Sequence, residues 1–275
     1  MKATCDICPR RCVLEEEQTG LCRARKNLGG IIICENYGKI TSIALDPIEK
    51  KPLRLFYPGS KILSVGSYGC NLHCPFCQNS DIAAAGSGEV RTQYYSPENL
   101  IKKALELIPQ GNIGIAYTYN EPLVGYEYVR DCAQVGKQSD LKTVVVTNGL
   151  ISDEPFRKLL PKINAMNIDL KGFTNRFYKM IGGDLDTVKK TIVTAAKLCH
   201  IEVTTLIVPG QNDSDEEITQ LSKWLSTVNP KIPLHITRFF PRWKMSNATP
   251  TPVSTINRLA GIARKSLQYV YEGNC

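Results

Sequence analysis

The sequence predicts an α/β protein: a partial TIM-like barrel of six β/α units, (β/α)6, preceded by a small cysteine-rich N-terminal segment and a β-hairpin. Three observations lead to this fold class. Short apolar runs alternate with segments of helical periodicity, which is typical of parallel β/α units. A loop with three cysteines follows the first of these runs, and four further cysteines lie within the first 22 residues. Because a closed barrel of this kind has eight strands, six units predict an open one.

The first 60 residues are expected to form the cysteine-rich segment and the hairpin, and residues 61–275 the barrel. The apolar runs 31–34 and 39–45 flank the turn-forming residues Asn36-Tyr37-Gly38. We therefore expect these two runs to pair as the hairpin.

Four cysteines of the N-terminal segment are candidate metal ligands: Cys5, Cys8, Cys12 and Cys22. The segment that carries them is too polar to bury itself, so a metal would be needed to fix it. Their spacing is compatible with an iron–sulfur cluster and with zinc. A flexible arm with free thiols is the alternative.

The barrel units follow from residue 61 onwards. Strands are expected at 62–65, 113–117, 143–147, 165–169, 202–208 and 234–237. Helices are expected at 97–108, 124–135, 154–160, 185–198, 213–228 and 252–266. Ser96-Pro97-Glu98 and Ser214-Asp215-Glu216 have the composition of helix starts.

The loop after the first barrel strand carries Cys70, Cys74 and Cys77 in the spacing C-x3-C-x2-C. Thiolate sulfur is the usual ligand of iron–sulfur clusters, and a cysteine-ligated cubane takes four thiolates. The loop supplies three, so one iron would remain open to a ligand from outside the protein. Zinc bound with the help of His73, and a loop of reduced thiols, are the alternatives.

Polar residues recur where the predicted barrel strands end. In a parallel barrel these ends meet on one side of the molecule, where active sites lie. Taken singly, each has a plainer explanation, such as a turn residue, an ion pair or a buried histidine. As a set on consecutive strand ends they predict one pocket above the cysteine loop, and the set is Glu121, Thr147, Asn148, Asp169, Lys171 and His235.

The composition and charge of the chain indicate its cellular compartment and the partners it can bind. The 275 residues carry a formal charge of +8 and include 11 cysteines. Neither a long apolar run nor a signal peptide is present, so we expect a cytoplasmic protein without membrane spans, whose thiols serve metal sites in a reducing compartment. The positive charge is spread along the chain without arginine-rich runs, which argues against nucleic acid as a partner.

The cysteine loop resembles that of the radical S-adenosylmethionine (SAM) enzymes, in which an aromatic residue, here Phe76, precedes the last cysteine. This resemblance implies a [4Fe–4S] cluster on the loop, with SAM bound to its open iron. It also implies that the reduced cluster cleaves SAM to a 5′-deoxyadenosyl radical. A reductant such as flavodoxin or ferredoxin is then required.

The residues at the ends of the predicted barrel strands also resemble those of the activating enzyme of pyruvate formate-lyase. The chain keeps Glu121-Pro122 of a Gly-Gly-Glu-Pro-like turn, with Tyr119 and Asn120 in place of the glycines. Thr147-Asn148-Gly149 and Asp169-Leu170-Lys171 resemble segments that contact SAM in that enzyme. The segment around Val208 resembles the adenine-side segment.

Nearly the whole chain resembles the radical SAM enzymes of the AmmeMemoRadiSam system. The residues that carry this resemblance include the cysteine-rich start at Cys5, the stretch 45–53, the cysteine loop and His235-Ile236-Thr237-Arg238. The implied function is an enzyme whose radical abstracts hydrogen from a small-molecule, peptide or protein substrate. The alternatives are an activase of a glycyl-radical partner protein and a non-catalytic iron–sulfur protein for electron transfer.

Overall fold

The computed structural model describes residues 1–275. Its strands are β1 Ala3–Thr4, β2 Val13–Leu14, β3 Arg25–Leu28, β4 Ile31–Cys34, β5 Lys39–Ile40, β6 Ser42–Pro47, β7 Lys61–Gly66, β8 Gln93–Tyr94, β9 Asn112–Tyr117, β10 Lys142–Thr147, β11 Ala165–Asp169, β12 His200–Ile207, β13 Leu234–Arg238 and β14 Val270–Gly273. Its α-helices are α1 Ser80–Ala83, α2 Pro97–Glu106, α3 Tyr126–Gly136, α4 Asp153–Leu159, α5 Asn175–Ile181, α6 Leu185–Ala195, α7 Asp215–Val228 and α8 Val253–Ala263. None of these helices combines the length and the apolar character needed to cross a lipid bilayer.

Eight strands form one sheet in the order β14-β13-β12-β11-β10-β9-β7-β6. The six predicted barrel strands run parallel to one another in the middle of this sheet. Two further strands extend it, β14 in parallel at one edge and β6 antiparallel at the other. The edge strands are not paired with each other, so the predicted α/β fold with an open barrel is confirmed.

The barrel helices begin where the sequence predicts a cap. The hydroxyl of Ser96 accepts a hydrogen bond from the Asn99 amide at the start of α2. Ser214 caps α7 in the same way through the Glu217 amide. Each helix then turns an apolar face towards the sheet, as its spacing of apolar residues requires.

A short segment before β7 packs into the barrel interior. Ile48, Leu53 and Phe56 contact the inner faces of the parallel strands in a small hydrophobic cluster. The side-chain amide of Asn167 donates to the carbonyl of Pro52 (2.9 Å), which fixes the segment to β11. The segment thereby forms a floor beneath the polar cavity described below.

The predicted pairing of residues 31–34 with 39–45 is wrong. The hairpin is instead formed by β3 and β4, joined by Gly29 and Gly30, both with positive φ (65° and 81°). A two-residue turn with positive φ at both positions matches the twist of a hairpin, so this local pairing is favoured. β6 is left to pair with the distant β7 in the main sheet.

A buried carboxylate joins three parts of the barrel. Glu202 on β12 is fully buried, and it accepts hydrogen bonds from His200 Nε2 (3.0 Å) and His235 Nε2 (2.6 Å). It also accepts from the backbone amides of Arg54 (3.0 Å) and Leu55 (2.8 Å) in the floor segment. Burial alone would raise the pKa of Glu202, but these hydrogen bonds lower it to about 2.

We predict that Glu202→Gln lowers the free energy of unfolding by about 2–4 kcal/mol, because charge-assisted hydrogen bonds to a buried carboxylate are lost. Denaturant titration at pH 7 measures the change. As the folded pKa is lower than the unfolded one, the carboxylate stabilises the fold above pH 4.5 and loses this effect as the pH falls towards 2. The difference between wild type and variant should therefore shrink over that interval.

The matched control is Glu106→Gln on the exposed face of α2, where we expect a change below about 0.5 kcal/mol. Equal stabilities of the Glu202 and Glu106 variants would contradict the proposed importance of the buried carboxylate.

Candidate active site

The cysteine loop, residues 70–77, leaves the C-terminal end of β7 through a turn at Gly69. That residue has φ +90°, and a Cβ on it would lie 2.5 Å from the carbonyl oxygen of Cys22. Only glycine fits there. The amide of Cys70 donates to the same carbonyl (3.1 Å), so the loop begins in direct contact with the N-terminal segment.

Asn120 braces the turn that precedes the loop. Its side-chain oxygen accepts from the Ser67 amide (2.9 Å), and its amide group donates to the carbonyls of Tyr68 (3.0 Å) and Gly69 (3.1 Å). The neighbouring Tyr119 has φ +72°, a conformation that glycine adopts more readily. Of the two residues that stand in place of the glycines, Tyr119 thus adopts a glycine-like conformation and Asn120 adds a hydrogen-bonded link to the start of the cysteine loop.

Cys70, Cys74 and Cys77 line one cavity of about 560 Å³ at the C-terminal ends of the strands. The other predicted residues that line it are Phe76, Glu121, Thr147, Asn148, Asp169, Lys171 and His235. Val208 does not line it: this residue is fully buried, and its amide donates to Asn212 Oδ1 (2.7 Å). The structure therefore brings together the cysteine loop and the polar strand ends, as the parallel topology requires.

The donor set is suited to a cubane cluster. Three cysteines line one cavity, where each thiolate could bind a different iron of the same cluster. Thiolates of a cubane each bind a different iron and so need not converge on one point. His73, the fourth ligand of the zinc alternative, lies against Gly182 and not in the cavity. Three thiols beside a polar cavity, with no fourth cysteine on it, match a cluster with one open iron.

The pKa values of all three thiols are raised above that of a free cysteine. Burial raises the pKa of Cys70, and the nearby carboxylate of Glu121 raises it further. Burial likewise raises the pKa of Cys77, and it raises that of Cys74 to about 11. Any metal that these cysteines bind as thiolates at neutral pH would therefore displace protons from the loop.

Glu121 links two strand ends beneath the loop. Its carboxylate accepts hydrogen bonds from the Thr147 hydroxyl (2.7 Å), the Asn148 amide (2.7 Å) and the Leu123 amide (2.9 Å). Burial raises the pKa of Glu121 to about 7, although these hydrogen bonds act in the opposite direction. Both carboxylate oxygens are thus engaged within the protein, which favours a positioning role for this side chain.

Asn148 connects that strand end to the cysteine loop. Its side-chain amide donates to Asn71 Oδ1 (2.9 Å) and lies 3.6 Å from the sulfur of Cys70. Asn71 in turn donates to the carbonyl of Leu150 (2.7 Å). Hydrogen bonds of this kind orient metal ligands and tune the metal they hold.

An ion pair also lines the cavity. Lys171 Nζ donates to Asp169 Oδ2 (2.9 Å). Burial alone would lower the pKa of Lys171, but the charges of Asp169 and Cys74 raise it above its ordinary value. The lysine therefore stays charged beside the cysteine loop, while the carboxylate is 30% exposed and able to meet a cationic ligand.

Sequence reasoning missed several residues that line the same cavity. Thr204 and Thr237 lie on β12 and β13, where their polar side chains face inward. Arg54 belongs to the floor segment and Glu272 to the edge strand β14. The threonines could have been found as polar residues within otherwise apolar strands, whereas the other two reach the cavity only through long-range packing.

Comparison with known proteins identifies the family. Residues 64–223 match the model of the Radical SAM superfamily, so the chain belongs to that superfamily. Uncharacterized protein MJ0808 of Methanocaldococcus jannaschii is 38% identical over 99% of this chain and 81% of its own length. The pyruvate formate-lyase-activating enzyme of Clostridium pasteurianum is 25% identical over 58% of this chain and 67% of its own length.

Solved structures show the same fold. The crystal structure of SuiB from Streptococcus suis aligns with a TM-score of 0.60 at 14% identity, covering 76% of this chain and 48% of that one. A domain of a pyruvate-formate lyase-activating enzyme from Bacteroides vulgatus aligns with a TM-score of 0.50 at 17% identity, covering 58% of this chain and 99% of that one. Members of the superfamily are enzymes, and the family match and the activating-enzyme relatives support radical SAM chemistry for this chain.

We predict that Asp169→Asn weakens SAM binding about 10- to 100-fold, the range expected when one charge-assisted hydrogen bond is lost. Anaerobic titration calorimetry on the iron-loaded protein measures the dissociation constant. The iron content and the visible absorbance should not change, since Asp169 is not a thiolate ligand.

The matched control is Asp186→Asn, at an exposed position on α6. We expect this variant to bind SAM like wild type. If Asp169→Asn bound SAM with unchanged affinity, the predicted role of the Asp169 side of the cavity would be wrong.

Proposed function

We propose that this chain is a radical SAM enzyme whose [4Fe–4S] cluster is held by Cys70, Cys74 and Cys77. When bound, the cluster passes one electron to SAM, which yields methionine and a 5′-deoxyadenosyl radical that takes a hydrogen atom from the substrate. The observation that carries this proposal is the single 560 Å³ cavity shared by the three thiols and the polar strand ends. A simple electron carrier needs no such pocket.

The residues of the cavity divide into two groups by what they can do. Asn148 and Lys171 lie beside cysteines of the loop, where an amide donor and a cation stabilise an anionic thiolate-ligated centre. Asp169, Thr204 and Thr237 offer oxygen atoms to a bound ligand. We assign the second group to SAM, together with the predicted contacts of Thr147 and His235.

Phe76 shields the loop from water. Its ring is 3% exposed and packs 6.0 Å from that of Phe177, centroid to centroid. A dry environment strengthens the electrostatic interactions of the cluster and protects a radical from side reactions.

A second candidate function is the activation of a glycyl-radical partner protein. It is favoured by the relatives whose names state that they activate pyruvate formate-lyase, at 25% and 23% identity over 58% and 57% of this chain. Another relative, at 26% identity over 49% of the chain, is named 7-carboxy-7-deazaguanine synthase. Because the relatives act on different classes of molecule, we leave the hydrogen donor as a small molecule, a peptide or a protein.

The proposal also names an electron donor and a role for the N-terminal cysteines. A protein reductant such as flavodoxin or ferredoxin would supply the electron in the cytoplasm. The N-terminal cysteines Cys5, Cys8, Cys12 and Cys22 would hold a second metal centre in a segment that spans residues 1–60, with the radical enzyme proper in residues 61–275.

We predict that reduced, iron-loaded protein converts SAM to 5′-deoxyadenosine, and that replacing Cys70, Cys74 and Cys77 by alanine lowers this rate at least about 100-fold, since even loss of an outer-shell partner can cost that much. Anaerobic incubation with dithionite, followed by chromatography of the nucleoside product, gives the rate.

The control is Cys199→Ala, which replaces a half-buried thiol that does not line the cavity, and it should cleave SAM at the wild-type rate. The proposed function fails if wild-type protein with a full complement of iron produces no 5′-deoxyadenosine, or if the triple variant produces as much as wild type.

A further inference from the structure

The four N-terminal cysteines surround one small enclosed cavity. Cys5, Cys8, Cys12 and Cys22 all line it, although Cys22 lies well beyond the other three in the sequence. Three of the four thiols are buried and Cys12 is half-buried. A segment this short and polar gains little from burying thiols alone, so their convergence points to a common ligand.

The same cavity is lined by a buried residue with an unpaired donor. Arg25 lines the cavity and is 3% exposed, and two of its nitrogens bind Glu127 (2.6 and 2.7 Å). Its third nitrogen, Nε, has no hydrogen-bond partner. Buried donors are rarely left unsatisfied, so an acceptor is expected there. The sulfur atoms of an iron–sulfur cluster accept such hydrogen bonds, and the arginine charge offsets that of a centre held by thiolates.

The choice between a cluster and zinc follows from the arrangement of the thiols. Cys5, Cys8 and Cys12 crowd into eight residues, as cluster ligands do, and Cys22 joins them in the cavity from further along the chain rather than forming a second pair.

The N-terminal cavity adjoins the cysteine loop of residues 70–77. The carbonyl of Cys22 accepts the hydrogen bond from the Cys70 amide (3.1 Å), so a ligand of each centre is joined through one backbone contact. Asn71 lines the N-terminal cavity and also contacts Asn148 (2.9 Å) in the radical site. Arg10 Nε donates to the Asn71 carbonyl (2.9 Å), which fixes the two segments together.

We propose that Cys5, Cys8, Cys12 and Cys22 ligate a second iron–sulfur cluster that relays electrons to the radical cluster. Four thiolates complete its ligand shell, so it has no open iron for SAM. One electron passes from a reduced flavodoxin or ferredoxin to this cluster, and from there to the cluster on Cys70, Cys74 and Cys77. The relay rests on the proposed function, because it needs the radical cluster as the acceptor.

Metal analysis of the full chain, reconstituted anaerobically, tests the cluster. The variant with Cys70, Cys74 and Cys77 replaced by alanine should retain about half of the wild-type iron and acid-labile sulfide. The variant with the four N-terminal cysteines replaced by serine should also retain about half. Stoichiometric zinc in the first variant, or the absence of both iron and sulfide from it, would overturn the assignment.

A comparison of two reductants tests the relay. Dithionite reduces the radical cluster directly and so bypasses the N-terminal cluster. The four-serine variant should therefore retain much more of the wild-type rate with dithionite than with a protein reductant. With reduced flavodoxin or ferredoxin its rate should fall at least tenfold. Cys12→Ser, which replaces only the half-buried cysteine, is the milder variant. Its rate should likewise fall much more with the protein reductant than with dithionite.

An unchanged rate with the protein reductant, or equal losses with both reductants, would refute the relay. Wild-type protein that contains both clusters yet fails to cleave SAM with dithionite would refute the proposed function and leave the second cluster standing.

Discussion

The position of the cysteine loop depends on a chain of hydrogen bonds that starts at the buried carboxylate of Glu121. This carboxylate holds the end of β10 through Thr147 and the Asn148 amide. Asn148 then reaches Asn71 and the sulfur of Cys70. Since a carboxylate without partners could not remain buried, the strand end, the loop and the first thiol are fixed relative to one another. The loop is therefore placed by the barrel and not by its own short sequence.

The same loop is held from its other side by the N-terminal segment. Gly69 allows the backbone to approach Cys22, and Arg10 donates to the carbonyl of Asn71. The cysteine-rich segment is consequently part of the support of the cysteine loop. One wall of the loop faces the proposed SAM cavity and the other faces a second set of thiols, so electrons and SAM would approach the cluster from different sides.

The six barrel strands and the pocket at their ends could be predicted from the sequence because both follow from local patterns. Apolar runs such as 143–147 mark strands, and parallel strands carry their terminal residues to one side. The hairpin was predicted wrongly because the partner of β6 is β7, which no local pattern reveals. Arg54 and Glu272 reach the cavity by long-range packing, and Val208 lies outside it because its amide is tied to Asn212. Long-range contacts of this kind are not encoded in short motifs.

The proposed chemistry requires that SAM bind at the open iron of the cluster on Cys70, Cys74 and Cys77. Electron paramagnetic resonance of the reduced four-serine variant tests this binding most directly, because only the radical cluster then contributes a signal. We expect that adding SAM shifts the g-values of the signal, while adding S-adenosylhomocysteine gives a different spectrum. A spectrum that stays the same at saturating SAM would contradict binding of SAM at the open iron.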